Sequence, residues 1–291
     1  MMKISRKSPA KNRNVPFIFP FISSPQQNIS ERRLLLIIDK RRFDGILFVM
    51  MRRLIEGLVD LVYPKRCHAC KDKLAEACVE ELICIRCWSG IRKNTPPFCH
   101  SCGRRLDKTG FTKNICPQCQ KIKLHFDRAF APCVYEGVIR ELIHEFKYNG
   151  KDYLAGPLSR LMSDFIKEYE LPMKELDYII PVPLHKARLR EREFNQAQVL
   201  SKLIADEFKK ELLGSLLLRH RHTRTQTELA TNQRLHNVKG SFSLATPDMI
   251  KGKNILLVDD VLTSGATSSE AAYTLKKNGG ANIVFVLTLA N

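Results

Sequence analysis

At 291 residues the chain has room for one medium domain and a smaller module, and a 44% apolar share is enough for a sizeable core. No apolar run reaches the ~18 residues of a membrane-spanning helix, and the apolar stretch 15–22 is short and broken by Pro16 and Pro20, so a cytoplasmic chain without membrane insertion is expected. The formal charge of +18 points to an anionic partner, either nucleic acid or a substrate bearing several phosphates.

Residues 1–50 hold 10 Lys/Arg against 3 Asp/Glu, so +7 of that charge sits in an acid-poor segment with no sustained period. Such a composition cannot bury enough apolar surface to fold. The segment reads as a basic tail, either disordered or outside a protein whose translation begins at Met50 or Met51. Leu54, Leu58, Leu61 and Val62 then recur at helical spacing, which predicts an amphipathic helix.

Residues 64–127 are dense in cysteine, cationic side chains and turn residues. Of ten cysteines, eight form four C-x-x-C pairs: Cys67/Cys70, Cys84/Cys87, Cys99/Cys102 and Cys116/Cys119. Thirteen residues separate Cys70 from Cys84 and again Cys102 from Cys116, so one unit occurs twice. Two residues between thiolates let one turn aim both sulfurs at a metal, and two turns complete a tetrahedron. Two structural zinc sites follow, paired sequentially, with a cross-braced pairing as the alternative. Four sulfurs leave no open position for catalysis, and a redox role would not need four pairs. His68 and His100 beside the ligands read as bystanders, and Cys78 and Cys133 as small buried residues. Two four-thiolate zinc sites each carry −2, which lowers the formal total from +18 to +14. The same correction takes residues 64–127 from +7 (13 Lys/Arg, 6 Asp/Glu) to +3, a weak nucleic-acid signal. Trp88, Phe98 and Phe111 could stack on bases but fit the core of a small module better.

From about Phe130 the pattern alternates. Helices are predicted over Val138–Lys147, Tyr153–Tyr169, Phe194–Lys210 and Ala266–Lys277, and strands over Tyr178–Ile180, Asn254–Val258 and Asn282–Leu289. That rhythm argues an α/β fold with a parallel sheet. The domain plan is then 1–50 tail, 51–127 helix and double zinc ribbon, and 128–291 α/β domain.

The most informative stretch is 255–267, ILLVDDVLTSGAT. A buried strand delivers Asp259 and Asp260 at its C-terminal end, where open α/β sheets bind ligands. Thr263, Ser264, Gly265, Ala266 and Thr267 then lead into a helix whose first N–H groups and dipole favour an anion. Two acids beside an anion cradle suit a ligand with both hydroxyls and a phosphate, as in ribose 5-phosphate. The bland alternative is an N-capping Asp and a polar turn. Neither G-x-x-x-x-G-K-[ST] nor G-x-G-x-x-G is present, which disfavours nucleoside triphosphatases and dinucleotide enzymes.

LLVDDVLTSGAT resembles the motif by which type I phosphoribosyltransferases bind 5-phosphoribosyl-1-pyrophosphate (PRPP). With PVPLHKARLREREFNQAQ (181–198), the set Arg224, Gln226, Leu229, Arg234 and Asn237, and the four cysteine pairs, the chain is similar to the ComF family over residues ~51–291. The resemblance implies a type I phosphoribosyltransferase-like parallel sheet with an N-terminal double zinc ribbon. It implies that Asp259 and Asp260 hold the ribose hydroxyls and that Thr263–Thr267 hold the 5-phosphate. Lys186, Arg188 and Arg190 would face pyrophosphate and its magnesium, with Arg224 and Arg234 on a lid. Transfer would go to an unidentified acceptor, with Lys147 as a contact on the acceptor side. The alternatives are a competence factor for DNA uptake that engages single-stranded DNA or a competence-machinery protein, and a PRPP sensor without catalysis. One departure stands out: where the family reads Arg-Gly-Phe-Asn-Gln, this chain has Arg192-Glu193-Phe194-Asn195-Gln196. It replaces a flexible residue with an acid near the expected diphosphate.

Overall fold

A computed structural model of the chain describes residues 51, 64–74, 77–106, 114–148, 150–221 and 238–291. All but Met51 belong to one compact unit, Val62–Asn291. The basic tail, the Leu54–Val62 helix, Phe111 and the Arg224–Asn237 set lie outside the described residues. Among the described residues, no helix is long and apolar enough to cross a membrane.

The ribbon comes first, with strands β1 (Cys78–Val79) and β2 (Ile83–Cys84) and the short helices α1 (Ile85–Ser89) and α2 (Pro117–Lys121). Its two halves repeat one turn. After Cys70 and Cys102 the backbone swings to positive φ at Lys71 (65°) and Gly103 (71°). Their N–H groups return to the carbonyls of Cys67 (2.9 Å) and Cys99 (3.0 Å).

The α/β unit follows as β3 (Arg128–Phe130), α3 (Gly137–Lys147), α4 (Ala155–Glu168), β4 (Tyr178–Pro181), α5 (Lys186–Arg192), α6 (Gln196–Phe208) and β5 (Glu211–Leu212). It continues with the antiparallel pair β6 (Leu217–Arg219) and β7 (Phe242–Leu244), then β8 (Asn254–Val258), α7 (Ala266–Gly279) and β9 (Ile283–Leu287). The main sheet has the order β3-β9-β8-β4-β5, with every neighbouring pair parallel. The α/β architecture behind an N-terminal double zinc ribbon is therefore the one expected.

Burial on both faces explains the continuous apolar strands. Along β8, Leu256 and Val258 point into one core cluster and Ile255 and Leu257 into the other. On the first side lie α3, α4 and α6, where Leu158, Leu161, Met162 and Phe165 keep helical spacing. On the second side α7 buries Ala271, Ala272 and Leu275. The two ribbon halves divide between these cores: Cys67, Ile83 and Cys87 join the first, and Cys99, Cys102 and Cys116 the second.

Element ends moved for local reasons. The side chain of Asn195 accepts from the N–H of Ala197 (3.2 Å) and starts α6 at Gln196 rather than Phe194. Gly280, at φ +66°, ends α7. Cys133 is buried as expected, and burial pushes its thiol up to about 12, whereas Cys78 is half-buried.

Connections fix where a ligand can sit. From β4 the chain leaves through α6 to β5 on one flank, and from the adjacent β8 it leaves through α7 to β9 on the other. These helices cover opposite faces, the arrangement in which open α/β sheets take ligands in a crevice beyond the C-terminal ends of the strands, here β4 and β8.

Candidate functional site

Asp259 and Asp260 follow β8 at that crevice. The N–H of Asp259 extends the ladder to the carbonyl of Leu287 (3.0 Å), and the carbonyl of Asp260 accepts from the N–H of Leu289 (3.0 Å). Asp260 donates its own N–H to Asp259 Oδ1 at 2.9 Å. Two adjacent half-buried carboxylates resist sharing two charges. Burial first, and the Asp260 charge second, push the Asp259 carboxyl up to about 7, against the pull of Lys147 and Arg219.

Cations from separate elements meet these acids. Lys147, the last residue of α3, places Nζ 2.9 Å from Asp260 Oδ2. Arg192, the last residue of α5, is buried, with Nη1 3.9 Å from the same oxygen. Gln196 holds Arg192 through Oε1 (3.1 Å), and Tyr148 presents its ring 5.7 Å below the guanidinium. From β6, Arg219 lies over the Phe242 ring at 5.4 Å. Burial draws its guanidinium below the ordinary arginine range, the Asp259 charge opposes this, and Arg188 and Arg192 add to it. Lys147, expected as a contact on the acceptor side, is paired here with Asp260.

Of the three cations expected near pyrophosphate, Arg188 acts electrostatically on Arg219. Lys186 and Arg190 are exposed on α5, and no contact among the described residues ties them to the acids. Motif reading does not single out Arg219, and it names Arg192 only as the first residue of the 192–196 pattern. A helical period would have separated Arg188 and Arg192, four residues apart, from Lys186 and Arg190. Arg219, on a three-residue strand, left no such trace. Arg224 and Arg234 lie outside the described residues.

The Thr263–Thr267 turn enters α7 at the same crevice. Gly265 caps the helix at φ +74°, a conformation that strains any side chain, and a Cβ there would crowd Leu124 Cδ2 at 3.3 Å. Ser264 Oγ accepts from the N–H of Ala266 (3.4 Å), and Thr263 is exposed. The rear of the turn packs on the second ribbon half, in a recess lined by Arg104, Gln118 and Leu124.

The cysteines form two sets, Cys67/Cys70/Cys84/Cys87 and Cys99/Cys102/Cys116/Cys119, each with its sulfurs within 4.8 Å of one another. This is the sequential grouping. The Sγ atoms of Cys70 and Cys84 are 3.8 Å apart, and those of Cys102 and Cys116 3.7 Å. Zinc with sulfurs at ~2.3 Å on tetrahedral corners demands an edge of about 3.8 Å, so the residues fit the ion. His68 turns instead to Glu145 (3.8 Å) and the Tyr153 ring (5.3 Å). Burial alone would raise Glu145, but Lys151 and Lys71 hold its carboxyl down to about 2, tying the first ribbon turn to α3.

Residues 58–120 match the double zinc ribbon domain family. Competence protein F of Haemophilus influenzae is 31% identical over 219 residues, spanning 74% of this chain and 92% of that protein. The chain belongs to the competence protein F family. Other members include the DNA utilization protein YhgH of Salmonella typhi, 29% identical over 77% of this chain and 96% of its own, and competence protein ComFC of Bacillus subtilis, 27% identical over 72% and 84%. Among solved structures, the glutamine PRPP amidotransferase of B. subtilis overlaps 39% of the chain and 22% of its own length at 21% identity and a TM-score of 0.27. A hypoxanthine phosphoribosyltransferase of Staphylococcus aureus overlaps 48% and 63% at 15% identity and a TM-score of 0.27. Each overlap covers only part of this chain.

Proposed function

We propose that this competence protein F relative binds PRPP with magnesium at the β4–β8 crevice and transfers the phosphoribosyl group to an acceptor. The observation that carries the reading is the set of opposite charges at one strand end. Asp259 and Asp260 follow β8, the Thr263–Thr267 turn lies beside them, and Lys147 and Arg192 approach Asp260 at 2.9 and 3.9 Å. A ribose needs acceptors for its hydroxyls, a 5-phosphate needs N–H donors, and a diphosphate needs cations. All three are within one crevice.

The chemistry asks little more of the chain. As pyrophosphate leaves, positive charge grows at C1 of the ribose, and the neighbouring carboxylates favour it while Lys147, Arg192 and Arg219 take up the charge on the leaving group. Magnesium bound with the diphosphate would supply further charge neutralisation. Release of pyrophosphate from PRPP across a panel of nucleobases and amines tests the transfer. Turnover abolished by Asp259→Asn/Asp260→Asn supports it, and no turnover with any acceptor reduces the reading to binding alone.

A DNA-handling role is the second reading. The relatives are named for competence and DNA utilization, and the chain carries +18. Affinity for single-stranded DNA measured across salt concentrations tests it, since a shallow slope means few phosphate contacts.

A further inference from the structure

The second ribbon half does more than pack behind the phosphate turn. Arg104 lies two residues beyond Cys102, and its guanidinium donates to the carbonyl of Thr263 and, at 3.5 Å, to that of Leu262. Those carbonyls belong to the segment that presents Ser264, Gly265 and Ala266 at the start of α7. The other end of the guanidinium donates to Gln118 Oε1, and Gln118 sits between Cys116 and Cys119. The clamp is therefore built from both cysteine turns of one metal set. An ion shared by the two turns would hold Gln118 in place beside Arg104.

The same half is fastened to the sheet on which the turn rests. The N–H of Ala129 in β3 donates to the Ser101 carbonyl (2.8 Å), and Asn291 Nδ2 donates to the Cys102 carbonyl (3.1 Å). A Cβ on Gly103 would come within 2.3 Å of the Ala129 carbonyl oxygen, so the ribbon turn lies flat against that strand. The turn thus touches the α/β core on one side and reaches the phosphate segment through one cation on the other.

We infer that Arg104 is a positioning residue through which the second four-cysteine centre sets the Thr263–Thr267 turn for the ligand's 5-phosphate. The inference rests on the reading of the crevice as a phosphoribosyl site. Within the turn segment Arg104 meets backbone carbonyls, so it acts on the ligand through backbone N–H groups. Metal occupancy at Cys99, Cys102, Cys116 and Cys119 then controls sugar-phosphate affinity without contributing a ligand atom. The diphosphate end, held by Lys147, Arg192 and Arg219, has no described contact with Arg104.

That division gives a test which a general loss of structure does not imitate. Affinities of the zinc-loaded full chain for ribose 5-phosphate and for magnesium pyrophosphate are measured separately by calorimetry, with zinc content determined alongside. For Arg104→Ala the expected result is about tenfold weaker ribose 5-phosphate binding, magnesium pyrophosphate affinity within about twofold of the parent, and two zinc ions retained. Unchanged ribose 5-phosphate affinity overturns the inference, and so does an equal loss for both probes. If Arg104→Ala loses zinc, Gln118→Ala is read by the same criteria, because it frees the guanidinium and leaves every cysteine in place. A parent chain that binds neither probe overturns instead the phosphoribosyl reading of the crevice.

Discussion

Lys147 Nζ, at the end of α3, lies 2.9 Å from Asp260 Oδ2, just beyond β8, and the two side chains are 18% and 15% exposed. The pair brings a helix end from one layer onto the strand end that carries both acids. Removing the lysine leaves those acids facing only more distant cations. We expect Lys147→Met to lose about 2 kcal/mol of stability, below the full cost of orphaning a deeply buried ion because Arg192 remains. Magnesium pyrophosphate affinity should fall at least ~10-fold, since a charge-assisted contact is lost. Urea melts and calorimetry on one preparation check both outcomes.

Asp259 makes the site sensitive to pH. Its carboxyl is raised from the usual aspartate value to about 7, so between about pH 4 and 7 the folded chain holds a proton that the unfolded chain has released. Folding stability from this group is therefore greatest at low pH and falls as pH rises through that window. Asp259→Asn removes the effect. The variant should match the parent near pH 4 and exceed it by roughly 4 kcal/mol at pH 8. Thermal melts across pH 4–8 show the divergence, and parallel curves would contradict it.

The strands and the acid pair were readable in the sequence because both faces of the sheet are buried. Residues 255–258 form an unbroken apolar run leading into Asp259, and the observed strand Asn254–Val258 has the expected bounds. Helix α5 was less legible, since KARLRER looks like a solvated basic segment until its last arginine is seen to be buried. Strands of two or three residues, such as β3, β5 and β6, are too short to show a period. The clamp from Arg104 to Thr263 spans 159 positions, and local pattern carries no signal for a contact of that length. The cysteine sets were the easiest feature, because metal geometry imposes spacing directly on the chain.

Zinc should be inseparable from folding in this chain. Both cysteine sets contribute to the two cores, so removing metal exposes apolar surface as well as thiolates. Two zinc ions per chain are expected by elemental analysis, and one in Cys102→Ser. Chelation at neutral pH should lower the melting temperature steeply, and an unaltered melt with the metal gone would contradict the structural role.

Asn94 joins the ribbon to the sheet. Its Nδ2 donates to the carbonyls of Gly103 (2.8 Å) and Ala131 (3.0 Å), and its Oδ1 accepts from the N–H of Arg105 (3.0 Å). With the side chain 2% exposed, Asn94→Ala strands three backbone groups away from water. A loss of about 2–4 kcal/mol is expected in denaturant melts.

Glu193 ends α5 at φ +67°, a conformation that glycine adopts freely and other residues pay strain to reach. Its carboxylate turns toward Gly150, where Oε2 would meet an added Cβ at 2.8 Å. Glu193→Gly should gain about 0.5–1 kcal/mol, the relieved strain being partly offset by the freer unfolded chain. Glu193→Gln, which keeps the strain and drops the charge, should leave stability unchanged. Urea midpoints separate the two.

The most direct measurement is a crystal structure of the full chain with PRPP and magnesium. The 5-phosphate should lie on the backbone N–H groups of 264–267, the ribose hydroxyls against Asp259 and Asp260, and the diphosphate within reach of Lys147, Arg192 and Arg219. Density for PRPP elsewhere, or a crevice in which Lys147 stays locked on Asp260 with no ligand at saturating concentration, would contradict the assignment.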